Sequence, residues 1–263
     1  MTDIDFGMPT LIELGTIEEC VSLCIDQGLK FIEVNMNMPQ YQVDKLDTIA
    51  LKKAMDTGIY FTFHLDENFN VADFNSKVSK AYIDTILSVI EIAVELHSPV
   101  INVHMPEGIH FKLPNEKVYL FEQYNDFYTD SLLNLRNLCD KAIALTDLKI
   151  CIENCNGYLP FVKKGIDLLL ESQVFQLTFD IGHNYCAQRV DEQFIIDRKE
   201  RLYHMHIHDA QNNKCHLILG SGDINIKSSL EFADLKKSRC VIETKTVLGL
   251  KKSIKYLCSE VLI

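Results

Sequence analysis

The chain has 263 residues, and 26 Lys+Arg against 37 Asp+Glu leave a formal net charge of −11. Hydrophobic residues at 47% and charged residues at 24% exclude a largely disordered chain and allow a sizeable core. The acidic balance disfavours a protein that holds nucleic acid mainly through its net field, although a locally basic groove is compatible with it.

Short apolar, β-branched runs recur along the chain, each the length of a buried strand. In order they are Ile4–Met8, Phe31–Val34, Ile59–His64, Val100–His104, Leu148–Glu153, Phe175–Asp180, Leu202–His206 and Cys240–Glu243. Helical spacing fills the intervals. Ile17–Gln27 puts Ile17, Cys20, Val21, Cys24 and Ile25 on one face and stops at Gly28. Asp44–Thr57 is a shorter candidate. Ala81–Leu96, Tyr124–Thr146 and Leu159–Ser172 carry longer apolar stripes, Phe194–Arg198 is short, and Leu248–Leu262 closes the set. This alternation predicts parallel strands covered by helices. Eight units of roughly 33 residues predict an α/β fold of the closed (β/α)8 TIM-barrel type, spanning residues 1–263 as one domain. The competing open, doubly wound sheet needs a Gly-rich turn after an early strand, and none is present.

The nine cysteines are odd in number, scattered, and mostly set in apolar runs without a C-x-x-C pair. They read as reduced thiols of a cytoplasmic protein. Asp3 and Asp5 stand where a signal peptide carries base, and no apolar run approaches the roughly 18 residues of a membrane span.

What ends the strands is more informative. His64, His104, Glu153, Asp180, His206 and Glu243 close strands three to eight in turn, and His183 follows Asp180 by three residues. In a barrel those ends meet at the C-terminal mouth, where active sites of this fold lie. One such residue is ordinarily a satisfied polar group or a helix cap. Six in register bring carboxylates and imidazoles into one small volume, at a desolvation cost that a divalent cation removes. The mixed nitrogen and oxygen set suits Zn, Mn, Co or Fe better than Ca.

These motifs resemble the xylose isomerase-like TIM-barrel superfamily, which joins sugar isomerases and epimerases, inosose dehydratases and AP endonucleases of the endonuclease IV type. Ile152-Glu153-Asn154 is similar to its E-N motif. Phe179-Asp180-Ile181-Gly182-His183 is similar to its D-x-x-H, and His206-Ile207-His208-Asp209 to its H-x-x-D. His216 with Gly220-Ser221-Gly222 resembles its H…G-x-G loop, and Val241-Ile242-Glu243 its terminal Glu. The resemblance implies a main metal held by Glu153, Asp180, His206 and Glu243. In the endonuclease branch the positions of His64, His104, His183 and His216 hold two further zinc ions. That branch has Asp two residues before the loop His, where this chain has Lys214, and a protonated amine does not ligate zinc. The expectation is therefore one or two ions of Zn, Mn, Co or Mg.

By the same resemblance, the expected activity is isomerisation or epimerisation of a small sugar, sugar phosphate or polyol through a metal-stabilised enediolate. Glu153 and Glu243 would move the proton, one on each face of the substrate, with His183 and His104 binding hydroxyls or relaying protons. Lys245, His208 and Glu33 are the candidate substrate-binding residues. A related dehydratase would use the same groups. The alternative is a zinc phosphodiesterase of the endonuclease IV type, opposed by Lys214, by the acidic Leu65-Asp66-Glu67-Asn68 segment and by the loop Asn35–Tyr41, which lacks a basic residue. A metal-containing barrel that only binds or senses ranks third. A sugar-like small molecule is the expected partner, with homo-oligomer formation left open and no membrane association. Gly220-Ser221-Gly222 reads as a plain turn, His97 as a helix C-cap, His204 as a layer residue inside the barrel, and Phe111, Tyr158 and Tyr185 as pocket walls.

Overall fold

The computed structural model describes residues 4–261. Among them, eight parallel strands close into a barrel: β1 (Phe6–Pro9), β2 (Phe31–Asn35), β3 (Tyr60–His64), β4 (Val100–His104), β5 (Lys149–Glu153), β6 (Phe175–Asp180), β7 (Leu202–Ile207) and β8 (Arg239–Ile242). Each pairs with its neighbours in sequence, and β8 closes on β1 through Phe6↔Cys240 and Gly7↔Val241. Residues of every strand are buried on both faces, one face by the barrel interior and the other by the helices, which is why the strands are continuous apolar runs. Gly7 admits the ring of Phe31; a Cβ there would lie 2.5 Å from it.

The helices follow from caps as much as from stripes. Thr16 and Glu19 form a capping box before Ile17–Asp26, and Asp47 accepts the amides of Ile49 and Ala50 to start Thr48–Met55. Asn75 caps Ser76–Glu95, five residues earlier than the apolar repeat alone indicates. The helix after β7, Ile226–Lys236, has no counterpart in the sequence reading. Its stripe is thin, with Ile226, Leu230 and Ala233 buried among serines and charges, and Asn225 caps it. The last helix runs Val247–Tyr256 and continues as a π-turn at Leu257–Val261; its expected end at Leu262 lies outside the described residues.

Two antiparallel hairpins interrupt the alternation on the mouth side. His110–Lys112 pairs with Lys117–Tyr119 after β4, and Asp209–Gln211 with Lys214–Leu217 after β7. Two of the thiols are brought side by side: Cys186, in the segment after β6, meets Cys215 of the second hairpin. Cysteines 29 residues apart are brought together only by the fold, so their spacing carries no signal. No helix among the described residues is long and apolar enough to cross a membrane.

Candidate active site

Parallel register levels the strand ends. His104 pairs with Glu153, Asp180 with His206, and His206 with Val241, so the polar residues arrive at one height in the barrel. Glu153 lies at the centre. His64 Nε2 and His104 Nε2 stand 3.2 and 3.3 Å from its Oε2, and His206 Nδ1 stands 3.2 Å from its Oε1. Asn102, two residues before His104 on the same inward face, also donates to Oε2 and is held in turn by Thr178 at 2.5 Å. Sequence reasoning missed Asn102; the signal is the period-2 alternation that puts residues 102 and 104 on one side of β4.

His206 Nδ1 also lies 3.3 Å from Glu243 Oε2 and 3.8 Å from Asp180 Oδ2. The potential ligand atoms of Glu153, Asp180, His206 and Glu243 all fall within 4.8 Å of one another. One ion about 2.0–2.2 Å from each nitrogen and oxygen fits that spacing. His206 Nδ1 and Glu243 Oε2 are buried without a hydrogen-bond partner, and both face this centre. The donor set and its unpartnered atoms therefore fit a divalent cation. Burial opposes the charged form of His206, yet Glu153 and Glu33 raise its pKa well above the ordinary value. His64 is likewise pushed up to about 9 by Glu153 against its own burial. Burial works to raise the Glu153 pKa, but His206 and His104 outweigh it and hold the carboxyl well below its usual range. His206 and Lys245 do the same for Glu243.

Beneath this centre is a further layer of paired side chains. Glu33, expected at the substrate, is 2% exposed and faces inward instead. Its Oε1 meets His206 Nε2 at 2.8 Å, its Oε2 meets His204 Nε2 at 3.0 Å, and Thr62 donates to Oε2 at 3.2 Å. A carboxylate on the far nitrogen of a ligand histidine fixes its ring and tautomer. His204 lies inside the barrel as a layer residue, fully buried.

The rim carries a third group. Asp180 caps the short helix Ile181–Cys186 by accepting the His183 amide at 2.6 Å, and Asn154 clamps the Asp180 backbone with two 2.9 Å hydrogen bonds. His208, also expected at the substrate, is fully buried, with Nε2 3.1 Å from Asp180. Gly182 makes room for that ring, since a Cβ there would come within 1.9 Å of it. The His216 amide donates to His208 Nδ1 at 2.8 Å, and the rings of His183, His208 and His216 cluster with centroids 4.2–5.4 Å apart. Burial lowers the His216 pKa to about 4, which leaves its ring neutral at pH 7. Asp209 spends its carboxylate on the amides of Ala210, Gly220, Gly222 and Ile224, so the Gly220-Ser221-Gly222 loop is wrapped around a side chain of its own protein.

Above the carboxylates opens a cavity of about 310 Å³, lined by His64, His104, Glu153, His183, His216, Glu243 and Lys245 with Asn35, Asn37, Glu67, Cys155 and Asn156. Lys245 reaches Glu243 Oε1 at 2.8 Å. Tyr158 lines an adjoining hollow. The other two expected walls do not line the mouth: Tyr185 donates to Asp223 outside it, and Phe111 is exposed on its hairpin.

The family model for xylose isomerase-like TIM barrels matches residues 21–259. This chain belongs to that family. An uncharacterized protein of Methanocaldococcus jannaschii is 27% identical over 178 residues, 62% of this chain and 56% of the relative. The match thus spans little more than half of that relative. Among solved structures, a D-tagatose 3-epimerase-like protein superposes with a TM-score of 0.76 at 22% identity, over 97% of this chain and 96% of its own. A 3-keto-D-glucoside 4-epimerase from E. coli gives 0.75 at 16% identity, over 97% and 98%. A probable 3-DHS dehydratase from Bacillus anthracis gives 0.72 at 11% identity, over 98% and 100%. These likenesses are of fold.

Proposed function

We propose that this chain is a divalent-metal-dependent isomerase or epimerase of a small sugar, sugar phosphate or polyol. The observation that carries the reading is the placement of Glu153 and Glu243, whose carboxylates converge on His206 Nδ1 from β5 and from the end of β8, with both lining the mouth cavity. Their depressed pKa values keep both carboxylates ionised near neutral pH, the state a base needs. Glu153, Asp180, His206 and Glu243 would hold the ion. It would stabilise the oxyanion that develops when a proton leaves the neighbouring carbon. Glu153 or Glu243 takes that proton, and its opposite number returns one to the other face. His104 and His183 line the same cavity, which supports a role for them in donating to substrate hydroxyls. Lys245, held by Glu243 at the rim, meets an anionic or hydroxyl group at the far end of the substrate.

The test is proton exchange. A panel of ketoses and ketose phosphates is incubated in D2O with Mn-, Co- or Zn-loaded protein and followed by NMR. Solvent deuterium should enter the carbon beside the carbonyl, and Glu153→Gln should abolish this. Absence of exchange across the panel contradicts the reading.

One observation favours the phosphodiesterase as a second reading. His208 sits beside His183 and His216 and supplies the donor that Lys214 removes, so a second ion-capable group adjoins the first. Metal-dependent nicking of an abasic oligonucleotide, lost in Glu153→Gln, decides for it.

A further inference from the structure

The larger hollow in this molecule is at the opposite end of the barrel. It encloses about 590 Å³ between the starts of β5, β7 and β8 and the loops that end the helices Ser76–Glu95 and Asn125–Ile143. Along β8, Arg239 at its floor and Glu243 at the mouth are separated by four residues, about 13 Å at the rise of a strand. The two spaces are therefore distinct.

Arg239 is the unusual group here. Its guanidinium lies 5.1 Å from the ring centre of Tyr203 and 6.0 Å from that of Tyr60. Its Nε is buried and has no hydrogen-bond partner. The Tyr60 hydroxyl is committed to Asp5 at 2.9 Å. Lys149, the first residue of β5, lines the same hollow, and neither cation has an ion-pair partner among the described residues. His97 also faces the space, from a left-handed turn with φ of 50°. The contrary groups are Asp147 and the carbonyls at the two helix ends, so an anion belongs on the Arg239–Lys149 side. Two unpaired cations against one acid stand out in a chain of net charge −11.

A buried guanidinium donor without an acceptor is costly, and a planar fork of donors is satisfied best by an oxyanion that offers two oxygens. We infer that this hollow is a second ligand site, separate from the metal-binding mouth, and that it takes a small molecule through a phosphate group held between Arg239 and Lys149. The ring of Tyr203 and the fully exposed Leu145 at the edge supply an apolar wall for the rest of that ligand.

The experiment is titration of the metal-loaded, full-length protein with inorganic phosphate and with glycerol 3-phosphate. Binding is followed by calorimetry and by NMR of labelled tyrosine. Saturable binding should perturb Tyr203, weaken at least tenfold in Arg239→Met and several-fold in Lys149→Met, and persist in Lys245→Met. If Arg239→Met fails to fold, Lys149→Met and the Tyr203 signal carry the test. Failure of both probes to bind overturns the assignment. So does binding that is lost in Lys245→Met and kept in Lys149→Met, because it would then lie at the mouth.

Discussion

The site is built in two halves of different construction. In the lower half, Glu33, Glu153, Asp180, His204 and His206 are at most 2% exposed, and their carboxylates and imidazoles meet one another inside the barrel. In the upper half, the side chains of Glu243, His216, His183 and Lys245 are 12, 21, 22 and 55% exposed, and they come from loops and strand tips around an open cavity. The lower half therefore sets geometry and charge, and in the proposed reaction the upper half is the part that meets the substrate. Glu153 belongs to both, since one of its oxygens faces His206 and the other faces His64 and His104 at the cavity wall. Ligand groups whose rotamers are locked by packing from below hold their positions without the ion.

Breaking the shared residue should have the largest effect. Glu153→Gln is expected to lower turnover by about 10³-fold or more, within the range for removing a positioned acid–base group, with the fold retained by circular dichroism. Activity near wild type would separate the two halves. Next comes Glu33→Gln, which touches no part of the cavity. It should weaken ion affinity about 10- to 100-fold, read by competition with a chelator, and Glu33→Asp should restore part of the loss. An unchanged affinity would mean that the lower layer is only packing. Lys245→Met should act on binding alone, raising KM roughly tenfold with kcat little altered, as expected where a charge-assisted contact to substrate is lost.

The smallest effect is on pH dependence. His64 has its folded pKa raised to about 9 from an ordinary 6.5. Its contribution to stability is thus complete below about 6.5 and is lost as pH rises through about 9. The metal-free chain should lose melting temperature across that window. The loaded chain should lose less, because an ion rather than a proton then offsets Glu153. Scanning calorimetry on both forms at pH 6, 7.5 and 9 reads the difference.

The strand ends, from both halves, were the legible part. His64, His104, Glu153, Asp180, His206 and Glu243 each end an apolar run, and a polar residue at such a boundary is visible without knowing its neighbours. The layer beneath them was not. Glu33 sits inside a strand, and its pairing with His204 and His206, 171 and 173 positions away, is made only when β2 and β7 face each other across the barrel. From the sequence alone it read as a residue near a strand end, hence the expectation that it touches substrate. The burial of His208 was hidden for a related reason: it immediately precedes the hairpin Asp209–Leu217, whose strands of three and four residues have too little alternation to announce themselves. The barrel itself was readable because eight buried strands and long amphipathic helices repeat one pattern. Ile226–Lys236 escaped because its serine-rich start masks three buried apolar positions.

The most direct test of the divided site is metal content after reconstitution and desalting, in wild type and in two lower-half variants. Wild type should retain a divalent ion, and Asp180→Ala and His206→Ala should each lose it while remaining folded. Retention of the ion in both variants, or its absence from reconstituted wild type, would contradict a metal centre held by Glu153, Asp180, His206 and Glu243.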